Sequence, residues 1–242
     1  MREICGYLYA MTPDDFRPTA PITVRVWDLP TRVFHWLLAA CVFGSIATAW
    51  TGGNAMIWHF RLGYAVFTLL AFRVLWGLIG GHWSRFANFV RAPATTLRYL
   101  RGASHAHEHH EVGHSPLGAF SVLAVLAVLT VQVGTGLFAD DEISNTGPLI
   151  SFVTGETSLA LTRWHKGWGQ WLIIGLVVLH IVAIAYYQFA KRRDLVRPML
   201  HGDKQVAVSV PAARDNAASR LLAAVLVALC ASGVGWVVSL AG

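Results

Sequence analysis

The sequence predicts an all-α membrane protein, a four-helix transmembrane bundle followed by an accessory fifth transmembrane helix. Three observations carry this prediction. The 242-residue chain is 55% hydrophobic and only 13% charged, with mean hydropathy +0.51, whereas a soluble domain carries about a quarter charged residues. Its excess apolar residues must therefore face lipid. Five apolar runs, near 32–50, 58–80, 117–138, 164–187 and 220–241, each match the roughly 20 residues that a spanning helix needs. Basic residues also gather in alternate connections: Arg2, Arg17, Arg25 and Arg32 before the first run, Arg85, Arg91, Arg98 and Arg101 after the second, and Lys191, Arg192, Arg193, Arg197, Lys204, Arg214 and Arg220 after the fourth. The other side carries Arg61, Arg163 and Lys166 with Asp140, Asp141, Glu142 and Glu156. This asymmetry is the positive-inside signature. It predicts a membrane protein of five spans with its N-terminus in the cytoplasm and its C-terminus outside, which in a bacterium means the inner (plasma) membrane and the periplasm. The net charge of +6 is then a topological signal, and nucleic acid is not an expected partner.

Taken in order, residues 1–30 read as an irregular cytoplasmic tail, and Pro30 suits the first turn of a helix, where a missing N–H costs nothing. The first run lacks the basic n-region and small-residue cleavage site of a signal peptide. Residues 31–200 hold four spans. The connection "ANFVRAPATTLRYLRG" reads as a short interfacial helix with Phe89, Leu97, Tyr99 and Leu100 against the membrane. The connection 139–163 is long enough for a short amphipathic segment. Residues 201–219 read as a flexible linker, and 220–242 form the accessory helix. Cys5, Cys41 and Cys230 make no C-x-x-C or C-x-x-C-H pattern, which argues against covalent haem and against cysteine-held zinc.

The chemistry lies in the histidines. His35, His59, His165 and His180 sit within or at the edges of three spans, and ionisable groups inside a bilayer are costly enough to mark function. His165 and His180 are separated by about 22 Å along a helix and by about 60° in rotation, so they share a face at different depths. His35 lies near the cytoplasmic end of span one and His59 at the outer end of span two. Depth therefore pairs His35 with His180 and His59 with His165. Two stacked pairs suit two bis-histidine haems in an apolar helical bundle. They suit one tetrahedral zinc site poorly, and the four spans hold no Asp or Glu for a proton relay. Glycines at 44, 63, 167, 169 and 175 admit either a macrocycle or ordinary helix packing.

Arg73, the one charge deep in a span, falls about 21 Å from His59 and about 40° away on the same face. That puts it level with His35 and His180. Two readings stand: contact with a haem propionate or an anionic quinone intermediate, or snorkelling and pairing with backbone carbonyls. The run "HAHEHHEVGH", with His105, His107, His109, His110 and His114, reads as a solvated loop without a wall for haem, although such tracts also bind metal.

The motifs "VRVWDLPTRVFHWLL", "HFRLGYAVFTLLAFRVLWGLIGG", "SRFANFV", "GHSPLGAFSVLAVLAVLTVQVGTGLFADDE", "WHKGWGQWLIIGLVVLHIVAIAYY" and "RPMLHGDK" together resemble the bacterial cytochrome b561 family, which includes the b-type cytochrome subunits of nickel-iron hydrogenases. The likeness covers roughly residues 22–204. It implies a four-helix core with two non-covalent b-type haems, axial ligands His35, His59, His165 and His180, and electron transfer to or from ubiquinone, menaquinone or a redox partner. The fifth span, the histidine-rich loop and the long tail go beyond the shorter members.

Three functions are thus in play. The first is an integral di-haem carrier in a respiratory chain, linking a quinone pool to a periplasmic c-type cytochrome or hydrogenase-like subunit that the acidic outer loop would steer. The second is a superoxide:quinone oxidoreductase, with Arg163 and Lys166 attracting the anion near His165. The third is a haem-free ion or metal transporter lined by the same histidines. The sequence names neither the direction of electron flow nor the oligomeric state.

Overall fold

A computed structural model describes residues 21–90, 92–101 and 112–241. Among the described residues, five helices are long and apolar enough to cross a membrane. Their outward faces are rich in exposed large apolar side chains such as Leu37, Phe43, Val74, Leu78, Leu179, Val182 and Leu229. That is the surface a helix presents to lipid rather than to water.

Strand β1 (Ile22–Arg25) leads into α1 (Leu29–Thr51). Asp28 caps α1, accepting from the Thr31 N–H at 2.8 Å, and Pro30 occupies the first turn. A short turn at 52–55 returns the chain as α2 (Met56–Ile79), so α1 and α2 form an antiparallel hairpin. Two short helices follow, α3 (Phe86–Phe89) and α4 (Pro93–Leu100). Ser115 caps α5 (Pro116–Gly136). The long connection after α5 ends at α6 (Gly155–Trp164), capped by Thr154. A π-helical turn over 165–169 joins α6 to α7 (Gln170–Ala185), so the fourth span begins about nine residues earlier than hydropathy suggests. Helix α8 (Val196–His201), strand β2 (Asp203–Val206) and α9 (Ala217–Ser239) complete the chain.

The core joins α1, α2, α5 and α7 through Phe34, Leu38, Leu69, Leu70, Phe72, Trp76, Leu129 and Ile173, and α9 enters it with Ala223. Helix α9 packs chiefly on α2. It is thus a flank of the bundle, as an accessory helix should be.

Within the two segments expected to be irregular, the described residues build a small sheet. Strands β1 and β2 pair antiparallel with Ile22 opposite Val206 and Arg25 opposite Asp203. Gly202, at φ 93, turns the chain between α8 and β2, and its carbonyl accepts from the Val26 and Trp27 N–H groups. A Cβ there would sit 2.6 Å from the Trp27 carbonyl oxygen, so the turn requires glycine. The supposed linker packs further on: the Ala213 N–H donates to the Arg25 carbonyl, and Trp83 Nε1 donates to that of Pro211 at 2.8 Å. We call this capped end of the bundle the sheet end and the other the loop end.

An ion network locks the sheet end. Asp215, its side chain 5% exposed, accepts from Arg25 Nη1 at 2.6 Å, Arg220 Nε at 2.9 Å and the Leu29 N–H at 3.2 Å. Burial alone would raise its pKa, yet these donors, Arg220 foremost, hold the carboxyl below its ordinary value. A depressed carboxylate stabilises the fold fully above the unfolded pKa of about 4 and loses that contribution as pH falls through the folded value. Asp215→Asn is therefore expected to cost about 1–3 kcal/mol near pH 7, with the gap to wild type closing as the pH drops below about 4. Thermal unfolding in detergent across that range measures it.

Candidate functional site

Helices α1, α2 and α7, with the π turn 165–169 that precedes α7, bring the four span histidines together as two couples. The His35 and His180 ring centroids are 6.3 Å apart toward the sheet end, and those of His59 and His165 are 6.0 Å apart toward the loop end. The elements that carry each couple, α1 with α7 and α2 with the π turn, do not pack closely on one another, while α1 packs on α2 and α5 on both α2 and α7. The imidazoles thus face each other across a gap rather than across a helix contact.

The gap has a telling width. An imidazole nitrogen binds a first-row metal at about 2 Å, and the ring centre lies about 1 Å beyond it. Two imidazoles on opposite sides of one iron therefore have centres about 6 Å apart, as both couples do. This spacing fits a bis-histidine haem.

Tautomers agree at the loop end. His59 Nδ1 lies 2.9 Å from the Ser45 carbonyl oxygen, and His165 Nδ1 lies 2.9 Å from that of Gln132. A carbonyl only accepts, so each Nδ1 carries the proton and each Nε2 keeps its lone pair for a metal. Gln132 holds the segment a second time, donating through Nε2 to the His165 carbonyl at 2.9 Å. A Cβ on Gly136 would sit 2.8 Å from His165 Cε1, so only glycine leaves room for this ring. The π turn at 165–169 adds one residue to the register, moving the His165–His180 rotation from about 60° to about −40°. The shared face survives. Gly44 meets Leu62 and serves helix packing, whereas a Cβ on Gly63 or Gly175 would meet nothing within 4 Å.

At the sheet end, Arg73 does not snorkel, and among the described residues it bonds no backbone carbonyl. It is 3% exposed, with its guanidinium carbon 4.7 Å from the Phe86 ring centroid, 5.9 Å from Phe89 and 6.0 Å from Phe34. Phe89, expected to face lipid, is instead a buried wall of this cage. Close by, Asp28 is fully buried and accepts from Thr31 N, Trp76 Nε1 and Ser84 Oγ.

His114 departs from the solvated loop in which its sequence context puts it. Its ring lies 4.7 Å from that of Trp27 and 4.5 Å from that of Phe89, with Nδ1 shielded from solvent. Burial, with Arg73 and His35 nearby, pulls its pKa down to about 3, so the ring is neutral. The other four histidines of that run lie outside the described residues.

The loop end is rimmed by two adjoining grooves. One, of about 490 Å³, is lined by Ala160, Arg163, Trp164, Gly167, Trp168 and Trp171; the other gathers Asp140, Asp141, Glu142, Arg163 and Lys166.

The chain is similar to several B-type cytochrome subunits. The chain is 21% identical over 216 residues to a probable Ni/Fe-hydrogenase B-type cytochrome subunit of Bradyrhizobium diazoefficiens, covering 76% of this chain and 86% of the relative. It is 20% identical over 211 residues to the probable Ni/Fe-hydrogenase 1 B-type cytochrome subunit of Escherichia coli K12, covering 73% and 88%. Against the probable Ni/Fe-hydrogenase B-type cytochrome subunit of Rhodobacter capsulatus the identity is 22% over 218 residues, covering 75% and 81%. No solved structure matches. The family model of prokaryotic cytochrome b561 matches residues 26–202, a span that contains both histidine couples, Arg73 and His114. The chain therefore belongs to the prokaryotic cytochrome b561 family and is a membrane b-type cytochrome of electron transfer.

Proposed function

We propose that the protein carries electrons across the bilayer through two b-type haems, between a quinone pool at one face and a redox partner at the other. The observation that carries this reading is the pair of 6 Å imidazole couples at opposite ends of one apolar bundle. His35 and His180 hold one haem, His59 and His165 the other, and Arg73 contributes a positive charge beside the first. Each haem supplies a one-electron iron couple. The chain supplies the ligands, fixes the tautomers of the loop-end pair and keeps water away. Residues 31–200 form the electron-carrying unit, with α9 flanking it.

The sheet end, where Arg25, Arg32, Arg85, Arg197, Arg214 and Arg220 collect, faces the cytoplasm by the positive-inside rule. The loop end then faces the periplasm. There Asp140, Asp141 and Glu142 offer an acidic rim beside the groove of Trp164, Trp168 and Trp171. A hydrogenase small subunit is the partner that the names of the relatives suggest, and a c-type cytochrome would use the same rim. The acids also weigh against superoxide oxidation, because they share their groove with Arg163 and Lys166 and would repel the anion those cations attract. A haem-free transporter is set aside by membership in a cytochrome family.

Purified protein mixed anaerobically with a short-chain ubiquinol or menaquinol provides the test. We expect two low-spin b haems per chain, both reduced by the quinol. A Soret band with a single haem per chain, or haems that only dithionite reduces, would defeat the proposal.

A further inference from the structure

Arg73, which is buried, and His114, which is half-buried, carry shielded polar atoms that the two histidine couples do not use. Arg73 Nη1 and His114 Nδ1 are both shielded from solvent without a hydrogen-bond partner. A guanidinium inside a membrane protein needs counter-charge, since an isolated buried charge costs several kcal/mol. The cage of Phe34, Phe86 and Phe89 offsets only part of that cost through the ring faces. Among the described residues no carboxylate lies within 4 Å of Arg73, and the nearby acid, Asp28, is already engaged by Thr31, Trp76 and Ser84.

The two orphans belong together. Phe89 is a wall for both, 5.9 Å from the Arg73 guanidinium carbon and 4.5 Å from the His114 ring. His35 is near enough to bear on the His114 charge. The imidazole is neutral in its apolar niche, so one nitrogen is free to donate, and the arginine fork offers N–H groups that match a carboxylate. Such a pair wants a small planar anion, delivered from the side of His35.

We propose that Arg73 and His114 form a joint seat for a carboxylate side chain of the haem held by His35 and His180. The inference rests on the assignment of those two histidines, and its test separates the two. His114 enters as a binding residue that was concealed in a histidine-rich tract, and Arg73 as its charged partner. A cation and an N–H donor at the carboxylate leave less negative charge beside the iron. They favour the reduced state, so removing either lowers the midpoint potential.

Potentiometric titration of the purified holoprotein reads this out, the sheet-end haem being identified by its loss in His35→Ala. Arg73→Gln should lower the reduced-to-oxidised ratio of that haem at fixed potential about tenfold, equivalent to about 59 mV for one electron. His114→Ala should lower it about threefold, while His114→Asn, whose amide nitrogen reaches the place of Nδ1, should stay near wild type. Rebuilding the proteins with the dimethyl ester of haem isolates the carboxylates: the ester, which removes their negative charge, should raise the wild-type potential, and His114→Ala should then change nothing further. Equal shifts from His114→Ala with the native and the esterified haem would mean a merely structural role and overturn the proposal, as would no shift with native haem. If His35→Ala and His180→Ala each kept two haems, the ligand assignment itself would fall, and this seat with it.

Discussion

His35→Ala and His180→Ala should each reduce the haem content from two per chain to one, and the haem lost should be the same in both. His59→Ala and His165→Ala should each remove the other. The expectation follows from the 6.3 Å and 6.0 Å couples: taking away one imidazole leaves iron with a single protein ligand and a hole where the second ring stood. Non-covalent haem then has little beyond apolar contact to hold it. The couples lie at opposite ends of the bundle and rest on different supports, Ser45 and Gln132 carbonyls at the loop end and the Arg73 cage at the sheet end, so each loss should leave the other haem low-spin. Pyridine haemochrome content and reduced-minus-oxidised spectra of the four purified variants measure this. A cross-pattern, with His35→Ala and His59→Ala losing the same haem, would refute the pairing by depth. The loop-end variants should lose their haem more completely, because His59 and His165 each have Nδ1 fixed by a carbonyl and therefore have an Nε2 aimed in advance.

Much of this arrangement is legible in the sequence, because a bilayer simplifies the grammar. Length and hydropathy find all five spans, and counting residues from their ends sorts four histidines by depth into the couples that the fold brings face to face. What stays hidden depends on contacts far apart in the chain. Ile22–Arg25 and Asp203–Val206 are four-residue strands about 180 positions apart, too short to show a period of two and too distant to announce a hairpin. The carbonyls of Ser45 and Gln132 that orient the loop-end imidazoles leave no mark, since every residue has a carbonyl. His114 is concealed by its neighbours: a run of histidine and glutamate signals solvation, yet its last histidine turns inward between Trp27 and Phe89. The cage around Arg73 has the same cause, for Phe86 and Phe89 come from a connection whose composition suits the membrane surface equally well. The π turn after Trp164 is a change in helical register, which hydropathy does not record.

Asp28→Ala is expected to be the most destabilising single change at the sheet end. Asp28 is 0% exposed and serves three structures at once. It caps α1 through the Thr31 N–H at 2.8 Å, receives Trp76 Nε1 from α2 at 3.2 Å, and receives Ser84 Oγ from the following turn at 2.8 Å. Loss of the cap costs about 1 kcal/mol, and each buried donor left unpaired costs about 1–3 kcal/mol more. Trp76 is fully buried, so its N–H finds no water in exchange. The sum is about 3–7 kcal/mol, or a fall of roughly 15 °C in melting temperature at about 2–4 °C per kcal/mol for a chain of this size. Asp28→Asn separates charge from shape. Its carbonyl oxygen keeps the bonds to Thr31 and Trp76, while its amide faces the Ser84 hydroxyl, which accepts by turning its own proton toward Thr31 Oγ1, 2.6 Å away. Asn should therefore recover most of the melting temperature. It should also raise the potential of the sheet-end haem, because the negative charge near Arg73 is gone. An Asn variant as unstable as the Ala variant would mean that the carboxylate charge, not its hydrogen bonds, holds α1 to α2.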